Sequence, residues 1–311
     1  MGQNWSLLTQ WFPPRSHFSV SDIPDLTGRV ALVTGGNSGI GKETVRALLS
    51  HNATVYVAAR DRSKATAAIA DLKRDTGKDA IFLECDLADM HSVKRATEEF
   101  LGKETELHML YNNGGVMWPS ASLLTKDGYD LQWGTNVVGH FLLTKLLIPA
   151  LLAGARSSPD AKARVVTTAS MGAYFDVIDW DSFRPGPARD KLNTYTLYNQ
   201  SKHGNVVFAK ELARRYGDKG IVSTSVNPGN LKTELQRHLD PISRFLIQLV
   251  LYPVPYGALT QLWAGTSPET VDLNGKFFIP WARVGECRPE TSDPENGRRL
   301  WEWLENETRD F

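Results

Sequence analysis

The sequence predicts an α/β fold: a doubly wound parallel sheet with helices on both faces, built as a single domain. Three observations predict it. Short apolar, β-branched runs alternate with helix-patterned stretches from Arg29 onward. A glycine-rich turn, Thr34–Gly41, separates the first run from the first helical stretch. No linker-like shift of composition interrupts residues 29–285.

Residues 1–28 carry Trp5, Trp11, Phe12, Pro13, Pro14 and Phe18 without a clear period, and read as an arm packed on the main body. The domain proper is 29–311. Val30–Val33 is the first strand, and the stretch after Gly41 is helical, with Ile40, Val45, Leu48 and Leu49 on its apolar side. Ala53–Ala59 is a second strand, Arg62–Arg74 a helix, Ala80–Glu84 a third strand and Ser92–Leu101 a helix. Leu107–Tyr111 is a fourth strand, Leu131–Leu152 a long helix and Arg164–Thr168 a fifth strand. A second long helix over Tyr198–Tyr216, a strand over Ile221–Val226, a last short strand over Phe277–Pro280 and a closing amphipathic helix over Asp293–Glu305 complete the order. Such repeated βα units imply a parallel sheet covered on both faces, with right-handed crossovers.

Composition narrows the function. With 35 basic and 35 acidic residues the formal net charge is zero, so no global positive field exists to hold nucleic acid. Cys85 and Cys287 lie far apart and make no metal spacing, as expected of reduced thiols, and no metal site is expected. No stretch reads as long and apolar enough to span a bilayer. A cytoplasmic protein is therefore expected, with membrane association left open because Met1–Ser6 matches the degenerate myristoylation pattern.

The turn itself has phosphate-cradle chemistry. Glycines let the backbone fold tightly and approach a pyrophosphate, and the following helix N-terminus offers free N–H groups. The spacing Gly35-x-x-x-Gly39-x-Gly41 makes Gly35, Asn37, Ser38, Gly39, Ile40 and Gly41 the candidate phosphate-end residues; a merely flexible turn is the bland alternative. At the end of the second strand, where such folds meet the adenosine ribose, stands Arg60. A guanidinium there favours a 2′-phosphate, hence NADP(H), while Asp61 is a counter-signal and NAD(H) stays open. Asp86, with Leu87, ends the third strand, where its carboxylate can meet an adenine amino group or cap the next helix. Asn113, Gly114 and Gly115 end the fourth, bringing backbone close to a cofactor. Tyr198 and Lys202, four apart, share a helix face, and an ammonium beside a phenol favours phenolate. Ser170, past the fifth strand, reaches the same sheet edge.

With these residues in place, the chain resembles a short-chain dehydrogenase/reductase over roughly residues 28–235. The matching elements are TGGNSGIG (34–41), Asp86-Leu87, NNGG (112–115), Asn136 within Gly-Thr-Asn-Val, Ser170, Tyr198-x-x-x-Lys202 and Asn227-Pro228-Gly229. Val55–Asp61 and Gly134–Phe141 look like the retinol-dehydrogenase-like branch, and the arm and Trp-rich end resemble fungal members. The resemblance implies a Rossmann-like three-layer domain and a tetrad of Asn136, Ser170, Tyr198 and Lys202. Tyr198 would be the general acid/base, Lys202 would bind the nicotinamide ribose, Ser170 would orient substrate and Asn136 would hold a relay water. Pro228, Gly229, Leu231 and Thr233 would line the nicotinamide and phosphate end.

Two departures from the family pattern stand out. Gly114 replaces the usual alanine of NNAG, and Ser170 and Tyr198 are unusually far apart, which points to an inserted loop near 174–196 that shapes the substrate pocket. A segment near 231–263, apolar over much of its length, is expected to cover substrate; buried core, a dimer-facing helix and a peripheral membrane contact are its alternatives. The expected activity is NADP(H)-dependent carbonyl–alcohol interconversion on a small lipophilic substrate, with homo-oligomerisation open. The alternative from another class is an NADP(H)-binding sensor or scaffold with little turnover, which has no need of the tetrad. A nucleotide-sugar epimerase or dehydratase is disfavoured by the short stretch after Gly229.

Overall fold

The computed structural model describes residues 9–231 and 251–311, and in them the predicted alternation forms one eight-stranded sheet. The strands are β1 (Val30–Thr34), β2 (Thr54–Ala59), β3 (Ile81–Glu84), β4 (Met109–Asn112), β5 (Ala163–Thr168), β6 (Ile221–Val226), β7 (Phe277–Ile279) and β8 (Arg283–Gly285). Their order is β3-β2-β1-β4-β5-β6-β7-β8; every pair is parallel except β7–β8. The order reverses between β1 and β4, which opens a crevice at their carboxyl ends. β8 is too short to leave a periodic signal.

The helices are α1 (Gly39–Ser50), α2 (Arg62–Thr76), α3 (Met90–Leu101), α4 (Leu131–Ser157), the short α5 (Pro187–Asp190), α6 (Thr194–Tyr216), α7 (Val254–Thr266) and α8 (Pro294–Glu307). On one face Phe100 of α3, Phe141 and Leu147 of α4, Phe208 of α6 and Leu304 of α8 pack on Leu32 and Leu110 of the sheet. On the other, Val45 and Leu48 of α1, Leu72 of α2 and Leu262 of α7 pack on Val33 and Val57. Phe18, Ile23 and Leu26 of the arm join this second layer; burying each contributes about 1.5–3 kcal/mol.

Two expectations change. Helix α4 is long and apolar enough to cross a membrane, contrary to the sequence reading, but most of its apolar length is buried between sheet and helices, which accounts for its composition. Helix α6 begins at Thr194 rather than Tyr198, because the Asn193 side chain accepts from the N–H groups of Tyr195 and Thr196. Tyr198 therefore sits a turn inside the helix. Of the expected substrate-covering segment, 232–250 lies outside the described residues, as do Thr233 and the possible acylation site Gly2. Its end is helix α7, whose Ala258, Leu262 and Trp263 are buried in the second layer.

Candidate active site

A cleft of about 790 Å³ runs along the carboxyl edge of the sheet. At its phosphate end, Gly35 (φ +63°) and Gly39 (φ +52°) adopt the left-handed backbone that glycine tolerates. A Cβ on Gly41 would collide with the Gly35 carbonyl, so the turn folds onto the start of α1 only with glycine there. The Ser38 side chain makes no cap hydrogen bond to α1, leaving the helix N-terminus facing the cleft. The Thr34 hydroxyl accepts from the N–H groups of Asn113 (2.9 Å) and Gly114 (2.8 Å), tying the ends of β1 and β4 together. A Cβ at Gly114 would lie 3.1 Å from Leu87 Cδ1, so the glycine here relieves contact rather than opening a void. This backbone-lined cradle fits a dinucleotide pyrophosphate.

At the adenosine end, Asp61 is occupied as the N-cap of α2, accepting from Lys64 N–H at 3.0 Å. Arg62 turns away to Glu84 and the ring of Phe82. Arg60 and Lys64 line the cleft, and Arg60 has no ion-pair partner among the described residues. Asp86 also lines it, its carboxylate accepting from Ala88 N–H, while Asp89 rather than Asp86 caps α3.

The other end gathers Ser170, Tyr198 and Lys202 on one wall, with Pro228, Gly229 and Leu231 nearby. Ser170 opens the helical turn Met171–Tyr174, accepting from Gly172 N–H. The Lys202 ammonium donates to the Thr168 carbonyl at 2.9 Å and lies 5.8 Å from the centre of the Tyr198 ring. Burial pushes the Tyr198 phenol up to about 12, against the lowering effect of a Ser170 hydrogen bond, and pulls Lys202 down to about 7. The expected depression of the tyrosine by its lysine does not arise: desolvation raises the phenol, and the opposing effect comes from Ser170.

Asn136 lies just behind Gly115, on a π-helical turn (Gly134–Val138) within α4. Its amide donates to the Val116 carbonyl and the Ser201 hydroxyl, and its Oδ1 accepts from Val116 N–H. Its backbone carbonyl accepts from His140 Nδ1 (3.0 Å), so Nε2 is the ring's acceptor and meets the Thr34 hydroxyl at 2.9 Å. Burial holds His140 neutral, down to about 4.

The sequence reading missed His140 and the apolar lining from Met117 and Trp118, whereas Phe175, in the inserted loop expected beside the pocket, lines the cleft. Trp118, a non-glycine residue at φ +54°, packs edge-on against Tyr195 and Tyr198. Its place just after NNGG was the available signal.

Comparison with known proteins accords with this geometry. The short chain dehydrogenase family profile matches residues 29–183. A short-chain dehydrogenase/reductase of Armillaria gallica is 58% identical over 311 residues, covering the whole of both chains. A solved structure of an uncharacterized protein from Mycobacterium paratuberculosis superposes with TM-score 0.72 at 28% identity, covering 94% of this chain and 98% of that one. The Pseudomonas aeruginosa RhlG/NADP active-site complex gives TM-score 0.65 at 25% identity, over 82% and 95% of the two chains. The protein is an oxidoreductase of the short-chain dehydrogenase/reductase family, whose members act on small substrates with a nicotinamide cofactor.

Proposed function

We propose that this enzyme interconverts a carbonyl and an alcohol on a lipophilic or aromatic aldehyde or ketone, using NADP(H) in preference to NAD(H). The observation that carries the reading is the convergence of Ser170, Tyr198 and Lys202 on one wall of a cleft that also contains the glycine-rich turn. When bound, the nicotinamide supplies or accepts the hydride. Tyr198 holds the proton exchanged with the substrate oxygen; with its phenol pushed up to about 12 it is a donor at neutral pH, as reduction requires. Ser170 orients that oxygen. Lys202, poised at about 7, can gain and lose a proton under working conditions beside the tyrosine it serves. Asn136, fixed through Val116 and Ser201, keeps this corner of the site in register. NADP(H) preference is supported by Arg60, which remains available at the cleft while Asp61 is spent as a helix cap. The lining from Met117, Trp118, Phe175 and Leu251 supports an apolar substrate.

The test follows NADPH and NADH oxidation with a panel of lipophilic aldehydes and ketones. Wild type should turn over with NADPH, and Tyr198→Phe should lose roughly 10²–10⁴-fold in kcat with NADPH affinity kept. Arg60→Ala should weaken NADPH by about tenfold or more and leave NADH unchanged. Tight NADPH binding without turnover across the panel would favour the sensor alternative, and a preference for NADH would overturn the role given to Arg60.

A further inference from the structure

Residues 9–11 precede the part of the chain that the family profile matches, yet Trp11 lines the cleft and Gln10 bonds to the segments that carry Ser170 and Gly229. Gln10 is fully buried. Its Nε2 donates to the Tyr174 hydroxyl at 3.0 Å, and its Oε1 accepts from Asn227 Nδ2 at 2.8 Å. Both ends of the carboxamide are matched, which fixes its orientation. Each partner leads into the site. Asn227 Oδ1 accepts from Gly229 N–H at 3.1 Å and so shapes the Asn227-Pro228-Gly229 turn. Tyr174 closes the helical turn that Ser170 opens, and its hydroxyl donates to the Glu286 carbonyl. Arg283 adds a third tie by donating to the Thr9 carbonyl at 2.8 Å. The next residue, Trp11, lines the cleft with about a third of its surface exposed, whereas Phe12 is not part of the lining and is 60% exposed.

We propose that the N-terminal arm is a working wall of the active site, with Gln10 as a positioning residue and Trp11 as a specificity-determining residue for planar, aromatic or conjugated carbonyl substrates. Gln10 joins the Ser170 turn to the Asn227–Gly229 turn through its buried bonds to Tyr174 and Asn227. A buried donor on Asn227 would lose its partner if that amide were removed. Trp11 offers a flat π surface at the rim, which favours a conjugated ring over a compact aliphatic chain. The substrate part of the proposal rests on the carbonyl-reductase reading; the positioning part does not.

The experiment measures NADPH-linked kcat/KM for cinnamaldehyde and for propanal in the full chain. Trp11→Ala should lower the cinnamaldehyde/propanal ratio by about tenfold through KM, and Trp11→Phe should restore most of it. Phe12→Ala should leave the ratio within about twofold. An unchanged ratio in Trp11→Ala overturns the specificity role. In parallel, deuterium uptake is compared between wild type and Gln10→Leu. Uptake should rise at 171–175 and 226–230 and stay level at 90–101; equal uptake at the first two segments overturns the positioning role. If wild type reduces no carbonyl, the proposed function fails on that ground, and the exchange data still decide whether the arm holds the site together.

Discussion

Lys202 carries the sharpest conflict between stability and chemistry at the scale of single residues. It is a cation buried beside Tyr198, with its folded pKa lowered to about 7 from 10.5 by desolvation. The unfolded chain therefore binds the extra proton between those values, so stability rises with pH through that window and the full cost applies below it. Lys202→Met removes the cost and, on the proposed role of this residue, ends the proton chemistry. Turnover should fall by several orders of magnitude while the thermal midpoint of the protein at pH 7, measured without added cofactor, rises by about 5 °C. A lowered midpoint would mean that the Thr168 carbonyl contact outweighs desolvation. Arg60 and Asp61 show the limits of reading residues alone. Both were legible as candidates, but only the α2 cap shows that Asp61 is already engaged.

Among the elements, the insert between Ser170 and Tyr198 divides into two parts that the sequence did not separate. Phe183 stacks on Trp133 of α4 at 4.0 Å and packs on Trp303 of α8 at 4.6 Å, so it belongs to the core. Phe175 is 56% exposed and lines the cleft. Removing the whole insert would therefore break the core as well as the pocket. The two substitutions separate these effects. Phe183→Ala should lower unfolding free energy by about 3–5 kcal/mol in urea titration. Phe175→Ala should leave that value within about 0.5 kcal/mol and change substrate KM instead. The π turn at Asn136 illustrates what element-level pattern cannot hold. Gly134–Val138 reads as ordinary helix, and its altered winding emerges from packing: Gly134 on Thr125 and Tyr129, and Gly139 against the Leu87 backbone.

For the molecule as a whole, the balanced charge hides buried histidines that make stability pH-dependent. His140 drops to about 4 from 6.5 in the folded state, and His108 is also lowered, both by burial. The unfolded chain then holds more protons between those limits, so this contribution is intact above 6.5 and lost as pH falls toward 4. For His140 the difference amounts to roughly 3 kcal/mol. Urea midpoints should fall from pH 7 to pH 4.5, with a shallower decline in His140→Gln, which can still reach polar partners but does not titrate. Parallel declines would show that other groups dominate acid unfolding.

The sequence by itself determined the alternation of strands and helices, the glycine turn and the spacing of Tyr198 and Lys202, because these rest on local backbone preference and on periods of two and 3.6 residues. The tertiary structure alone decided what depends on contacts between distant segments. It placed Gln10 against Asn227, 217 positions away, brought Thr34, His140 and Asn136 into one buried chain, and laid α7 into the core. It also decided the electrostatics: the shifts of Tyr198 and Lys202 arise from the loss of water around them, which depends on the whole fold rather than on their neighbours in sequence.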